Sequence, residues 1–400
     1  DLVAALPAMR VAERRAVGAS AQLLRFERPM SAEQAQAVAA QLAQRPDVAW
    51  AALNSRERRL QATPPANAPP GDPRYSEQWW LQLPGSGSNG APNYLTAWTS
   101  VTTGDANSLV AVLDNGIVAH PDLAGKVING YDMVSDPAFS NDRDGRDADP
   151  ADPGDWVDAA DLQLQDYKDF KCQAEPSTWH GTVIAGMLAA NVNNNEGGAS
   201  MHWPSRVLAV RVAAKCGADV ADIVDGIRWV AGLAVCLRSD ASGNCLELSS
   251  ASAQPRARVV NISFGGSGPC NAYQETIDAA RERGVVVVAA AGNEHASEPT
   301  RPAKCQNVIG VAALNRDGFK TTYSNFGPLL TVATVGGDDS DGAWGGRVAD
   351  SGVFGPGNDG DTSPGAPVYL PHFGTSFSTP VVAGAVSLML SGNPALTGGQ

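Results

Sequence analysis

Four residues spread along this chain could together hydrolyse an acyl bond: Asp114, His180, Asn293 and Ser376. Ser376 lies in Gly374-Thr375-Ser376-Phe377-Ser378-Thr379-Pro380, which runs into the apolar stretch Val381–Leu390. Small and hydroxyl residues ahead of an apolar run predict a buried helix starting near Ser376, with Pro380 tolerated in its first turn. At such a start, free backbone N–H groups and the positive end of the helix dipole face the serine oxygen, which suits a nucleophile whose attack creates an oxyanion. The plainer reading is a Ser/Thr N-cap. His180 opens Gly181–Ala190 as a base or as a structural helix-end histidine. Asp114 follows Val110-Ala111-Val112-Leu113 and precedes Asn115-Gly116, so it is an orienting carboxylate or a turn former. Asn293 closes Val285–Gly292 as a turn residue or as a neutral amide donor to an oxyanion.

The surrounding pattern decides where these residues fall. Apolar runs at Leu109–Leu113, Val207–Val212, Val259–Ile262, Val285–Ala290 and Val308–Ala312 are continuous, as in parallel strands covered on both faces. Helical stretches at His180–Ala190, Val220–Val235 and Ala272–Arg283 alternate with them, the last followed by Gly284 as a C-cap glycine. Glycines 181 and 186 would let the first of these helices approach the sheet closely. Alternation of this kind implies an α/β fold with a mainly parallel sheet, in which ligands sit outside the carboxyl ends of the strands. Each of the four residues falls at such a strand end or helix start. Asn261-Ile262-Ser263-Phe264-Gly265-Gly266 ends another buried strand with small residues, leaving room for an extended peptide to add as a strand. Gly85-Ser86-Gly87-Ser88-Asn89-Gly90 matches G-x-G-x-x-G but has no strand before it and no clear helix after it, and is read as a loop.

Residues 1–60 read as a separate α+β module. Gln22–Phe26 is a strand, Ser31-Ala32-Glu33-Gln34 has capping-box spacing ahead of a helix to about Gln44, and Val48–Leu53 is a returning strand. A Pro-rich linker at 61–74 follows, exposed to proteolytic nicking, and 75–400 forms the main body. The module carries +3 and the rest −16 of the net charge of −13, so the two could attract each other. That balance argues against nucleic acid as a partner. No apolar run is long enough to span a membrane. Six cysteines without a CxxC pair or nearby histidine ligands point to disulfides and an oxidising compartment rather than zinc. Fifteen pairings are open, and Cys172–Cys216, Cys236–Cys245 and Cys270–Cys305 is the preferred set. No signal peptide is visible at Asp1-Leu2-Val3.

The order Asp, His, Ser with an Asn donor is the order of the subtilisin triad. The chain resembles the subtilisin-like serine proteases in Val112–Ile117 with His120-Pro121-Asp122-Leu123, in His180-Gly181-Thr182, and in Gly374–Pro380. Ala290–Glu294 and Tyr323-Ser324-Asn325-Phe326-Gly327 add support. The resemblance covers about Tyr75 onward. It implies a three-layer fold and a secreted, monomeric endopeptidase acting on polypeptides, with Asp114, His180 and Ser376 catalytic and Asn293 in the oxyanion hole. It further implies that Ser263, Phe264, Gly265, Ala290, Ala291 and Gly292 bind substrate, and that residues 1–60 are an inhibitory propeptide released by self-cleavage between Gln61 and Tyr75.

Departures from the family pattern are Val183, where a second histidine is usual, Gly198–His202, and Leu330–Gly336, which lacks Ala-Pro-Gly. The family also continues beyond the point where Gln400 stands, so a truncated C-terminus is expected. Nine aspartates lie between Asp136 and Asp161. Among them Asp142, Asp144, Asp147 and Asp149 alternate around a turn glycine in a manner suited to structural Ca²⁺, the other reading being a solvated acidic loop. By resemblance, Asp122 with Asn193 or Asn194 is a second calcium candidate. No organic cofactor is expected. The competing function class is a catalytically silent binding protein on the same fold. An α/β-hydrolase esterase lacks its G-x-S-x-G here, and a zinc hydrolase its H-E-x-x-H.

Overall fold

Valine- and alanine-rich runs with no polar face can be buried only between two layers of helices, and the computed structural model builds that arrangement. It describes residues 9–17, 21–52, 69–85, 87–240, 242–339 and 350–399. The chain divides into two compact units, Asp1–Leu60 and Gln61–Gln400.

In the first unit, β1 (Val11–Val17) pairs antiparallel with β2 (Ala21–Phe26), and α1 spans Ala32–Ala43. The capping box forms as read: Gln34 N donates to Ser31 Oγ at 3.2 Å and Ser31 N to Gln34 Oε1 at 3.0 Å. Val38 and Leu42 of α1 make a small core with Leu24 and Phe26. Residues 48–52 form no strand, and Trp50 is 68% exposed, so the expected return strand has no buried face to hold it. Leu53 and residues 61–68 of the linker lie outside the described residues.

The second unit contains α2 (Tyr94–Ser100), β3 (Leu109–Asp114), β4 (Val127–Asp132), the short α3 (Pro137–Ser140) and α4 (Gln165–Asp169), α5 (His180–Ala189), β5 (Arg206–Arg211) and α6 (Val220–Val230). It continues through β6 (Cys236–Ser239), β7 (Cys245–Leu248), β8 (Val259–Ile262), α7 (Asn271–Glu282), β9 (Val286–Ala290), β10 (Val308–Leu314), β11 (Val332–Val335), β12 (Val353–Asn358), β13 (Pro367–His372) and α8 (Thr375–Gly392). Seven strands form a parallel sheet in the order β11-β10-β9-β8-β3-β5-β4. Val110, Val112, Val207 and Val288 face α5 and α8, whereas Ala111, Leu113, Val210 and Val287 face α6 and α7. Period-2 alternation within wholly apolar strands thus feeds two cores. The expected helix to Val235 stops at Val230 because Gly232 takes φ +72° and turns the chain.

Register brings the strand ends level. Leu113 pairs with Val210 on one side and Ile262 on the other, and Ile262 pairs with Ala289. The chain leaves β3 toward β5 and β4 and later returns to β3's other side as β8, so the strand order reverses at β3. A crevice opens at the carboxyl end of such a reversal. The three disulfides are Cys172–Cys216, Cys236–Cys245 and Cys270–Cys305, the preferred set. Among the described residues, no helix is long and apolar enough to cross a membrane.

Candidate active site

Asp114 is the last residue of β3 and is nearly completely buried. Its two carboxylate oxygens meet His180 Nδ1 at 2.9 and 3.0 Å, and Oδ1 also accepts from Asn115 N. His180 is the first residue of α5, preceded by Trp179 at φ 51° with no side-chain cap. A substitute comes from the neighbouring turn: Asn115 Oδ1 accepts from Gly181 N at 2.8 Å, satisfying one orphan donor of the helix start. Gly181 has to be glycine, since a Cβ there would lie 2.2 Å from Gly116 O. Gly186 is small for a different neighbour, Pro356 of β12, rather than for the main sheet. Burial opposes charge on the His180 ring, but the Asp114 carboxylate and its hydrogen bond, with Asp155 and Asp152 behind them, hold the imidazole above its ordinary value.

Ser376 is the second residue of α8. Gly374 ahead of it takes φ 145° and ψ 157°, a conformation that strongly favours glycine. Pro380 is the sixth helical residue, past the first turn in which it was expected. Its missing N–H leaves Ser376 O without its intrahelical donor. Ser263 Oγ supplies the replacement at 2.8 Å, while Ser376 Oγ donates to Ser263 O at 2.6 Å. The end of β8 and the start of α8 are therefore locked reciprocally, and the Ser376 hydroxyl is turned to Ser263 rather than to His180. Asn293 Oδ1 accepts from Thr375 N and Thr375 Oγ1, both at 2.9 Å, which fixes the amide and leaves Nδ2 to face away from them. Thr375 was not singled out from sequence; its signal is the hydroxyl beside a candidate nucleophile.

Asp114, His180, Asn293 and Ser376 line one cleft of about 450 Å³. Ser263, Phe264, Gly265, Ala290 and Gly292 line it too. Ala291 does not, being fully buried behind Gly292. Gly266 pairs with Arg301 through two backbone hydrogen bonds, which closes the far end of the small-residue edge. Thr300, Asp155 and Glu175 also reach the cleft; of these the sequence had marked only Asp155, as one of the nine loop aspartates and not as a cleft residue.

The acidic loop folds on protein partners. Asp142 pairs with buried Arg211, which also binds Asp132, and Asp147 Oδ1 accepts from Asp149 N at 2.7 Å. Among the described residues, no group of three or more His, Cys, Asp or Glu side chains is placed to hold a metal ion. The second candidate differs in kind. Asp122 is fully buried, accepts from Asn194 Nδ2 at 2.8 Å and Tyr369 OH at 3.3 Å, and has no ion-pair partner among the described residues. Burial, with Asp72 and Glu196 nearby, pushes its carboxyl up to about 6. A buried acid with a second acid nearby offers hard oxygen donors of the kind a calcium ion takes, although Asn194 turns its Nδ2 to Asp122 while its Oδ1 accepts from Glu196 N at 3.1 Å.

Residues 105–400 match the subtilase family, peptidase S8. The extracellular protease of Xanthomonas campestris pv. campestris is 36% identical over 93% of this chain and 57% of its own length. The extracellular basic protease of Dichelobacter nodosus is 33% identical over 81% of this chain and 48% of its own. The chain therefore spans about half the length of these relatives. A solved structure of a protease from Pseudoalteromonas arctica superposes with a TM-score of 0.69 at 37% identity, over 82% of this chain and 89% of that one.

Proposed function

Because the chain belongs to the subtilase family, with its α/β fold and seven-stranded parallel sheet, we propose that it is an extracellular serine endopeptidase whose catalytic groups are Asp114, His180, Ser376 and Asn293. The observation that carries this reading is the Asp114–His180 pair held at 2.9 Å in the same cleft as Ser376. Rotation of Ser376 about χ1 to a neighbouring staggered well frees its hydroxyl from Ser263 O. Oγ then attacks the scissile carbonyl as His180 Nε2 takes its proton. The C–N bond breaks as His180 returns the proton to the leaving amine, and water hydrolyses the acyl-enzyme by the reverse sequence. Asp114 keeps Nδ1 protonated and stabilises the imidazolium. Asn293 Nδ2 and the Ser376 N–H receive the developing oxyanion.

Substrate is an extended polypeptide lying along Ser263–Gly265 and Ala290–Gly292. Residues 1–60 act as an intramolecular inhibitor, and cleavage between Gln61 and Tyr75 releases them. Three disulfides suit an extracellular setting. Subtilases commonly bind calcium, and we assign a structural ion to Asp122 and Asn194, with Asp72 supplying a second charge, in preference to the acidic loop. It would stiffen the 191–199 connection and takes no part in the chemistry.

A fluorophosphonate probe tests the reading. Purified chain freed of residues 1–74 is expected to be labelled once, and Ser376→Ala not at all. A folded, released chain that remains unlabelled returns the protein to a binding role on this fold. For self-processing, wild type is expected to be cut in the linker and Ser376→Ala to stay intact.

A further inference from the structure

One wall of the cleft carries a chemistry that hydrolysis of the peptide bond does not use. Thr178, Glu175 and Asp155 line the cleft together with His180 and with the uncharged residues Ala213, Ala214, Gly217 and Ala218. Asp155 is fixed: Oδ1 accepts from Thr178 N and Oδ2 from Thr178 Oγ1, both at 2.7 Å. Thr178 Oγ1 in turn accepts from Asn115 Nδ2 at 3.2 Å, which ties the acid to the turn after Asp114. Glu175 is held through its backbone by two 3.0 Å hydrogen bonds with Val157, while its side chain is solvent-exposed. Behind them Asp152 is buried, with Oδ2 lacking any hydrogen-bond partner.

None of these three carboxylates has an ion-pair partner among the described residues. Lys215, next in sequence to Ala214, is engaged by Asp161 at 2.7 Å. Arg301 also lines the cleft, but it stands over Tyr273 and donates to Pro269 O. Although Glu175 is largely open to solvent, partial desolvation and then the neighbouring Asp155 raise its carboxyl.

We propose that Asp155 and Glu175 form a subsite for a lysine or arginine side chain of the substrate, next to the scissile bond on the His180 side of the cleft. This rests on the endopeptidase reading and adds a specificity to it. Asp155 presents a carboxylate whose orientation is already set by Thr178, so no side-chain order has to be gained on binding, and exposed Glu175 can swing to meet a flexible ammonium or guanidinium group. Such a contact discriminates by charge and is weakened by salt.

The test uses active enzyme and a peptide library in which Lys, Arg, Gln, Leu and Glu are varied at each position flanking the cut. Lys and Arg are expected to exceed the near-isosteric Gln in kcat/KM at one position. Asp155→Asn and Glu175→Gln should each cut that ratio by about threefold, and the double variant by about tenfold. The ratio separates recognition from any effect of Asp155 on His180, which would slow every peptide alike. Molar salt should shrink the ratio in wild type and leave the double variant unchanged. Cleavage without a basic preference, or a preference untouched in the double variant, overturns this inference and leaves the endopeptidase reading standing. A released chain that cuts no peptide and takes no fluorophosphonate overturns both.

Discussion

His202 makes the stability of the second unit depend on pH. Its side chain is fully buried between α8 and the turn before β3. Nε2 lies 3.0 Å from Asp105 N and 3.2 Å from Asp105 O, and Nδ1 lies 2.8 Å from Ser387 Oγ. Burial opposes a charged ring by more than the Asp105 backbone oxygen supports it, and pushes the imidazole down to about 4. The unfolded chain takes up this proton near the ordinary value of about 6.5 and the folded chain only near 4, so the contribution to stability is complete above the first value and is lost as pH falls toward the second. The slope inside that window is about 1.4 kcal/mol per pH unit, and the whole amounts to about 3 kcal/mol. Urea unfolding of a Ser376→Ala background, which removes autolysis, measures it at pH 7.5, 6, 5 and 4. His202→Asn keeps a donor toward Ser387 but cannot protonate. It should be less stable than the background at pH 7.5 and should close most of that gap by pH 4. A gap that stays constant across the range would refute the assignment of a neutral, proton-refusing His202.

Of three other expectations, two concern the active-site end of the sheet and one the Asp122 site. Ser263→Ala should cost about 1–3 kcal/mol by orphaning Ser376 O, and in a Pro380→Ala background, where residue 380 regains its N–H, the cost should shrink; chemical denaturation of the four variants gives the coupling. Asn293→Leu should lower kcat by about 10²–10³, the range known for the same donor in subtilisin itself, with KM little changed; Thr375→Val, which only loosens the amide, should lie between the two in a steady-state assay. Chelator should lower the melting temperature of Ser376→Ala protein, calcium should restore it, and Asp122→Asn should abolish both shifts.

The layered fold was legible because strands buried on both faces must be apolar throughout, and Val259–Ile262 and Val286–Ala290 admit few other readings. The three sequence segments around Asp114, His180 and Ser376 were legible for a related reason: each couples a polar residue to the abrupt end or start of an apolar element. Boundaries failed where a backbone turn outweighed hydrophobic pattern, as at Gly232, or where an element had no buried face, as at residues 48–52.

What sequence could not supply is which distant groups repair local defects. Pro380 looked harmless in a first turn; in the folded chain it orphans a carbonyl, and a serine 113 positions away supplies the missing hydrogen bond. Asp142, Asp144, Asp147 and Asp149 suggested either a cation site or a solvated acidic loop, but sequence does not show that an arginine on β5 is buried against Asp142 and Asp132. Asp155 and Glu175 belong to no motif, and only the chain path through the Cys172–Cys216 region lays them beside His180. Local pattern determined the elements and the identity of the residues at their ends, because burial and helix-end chemistry act over a few residues. Their partners were decided by tertiary structure alone, because hydrogen bonds and charges find one another across strands whose order in space is not their order in the chain.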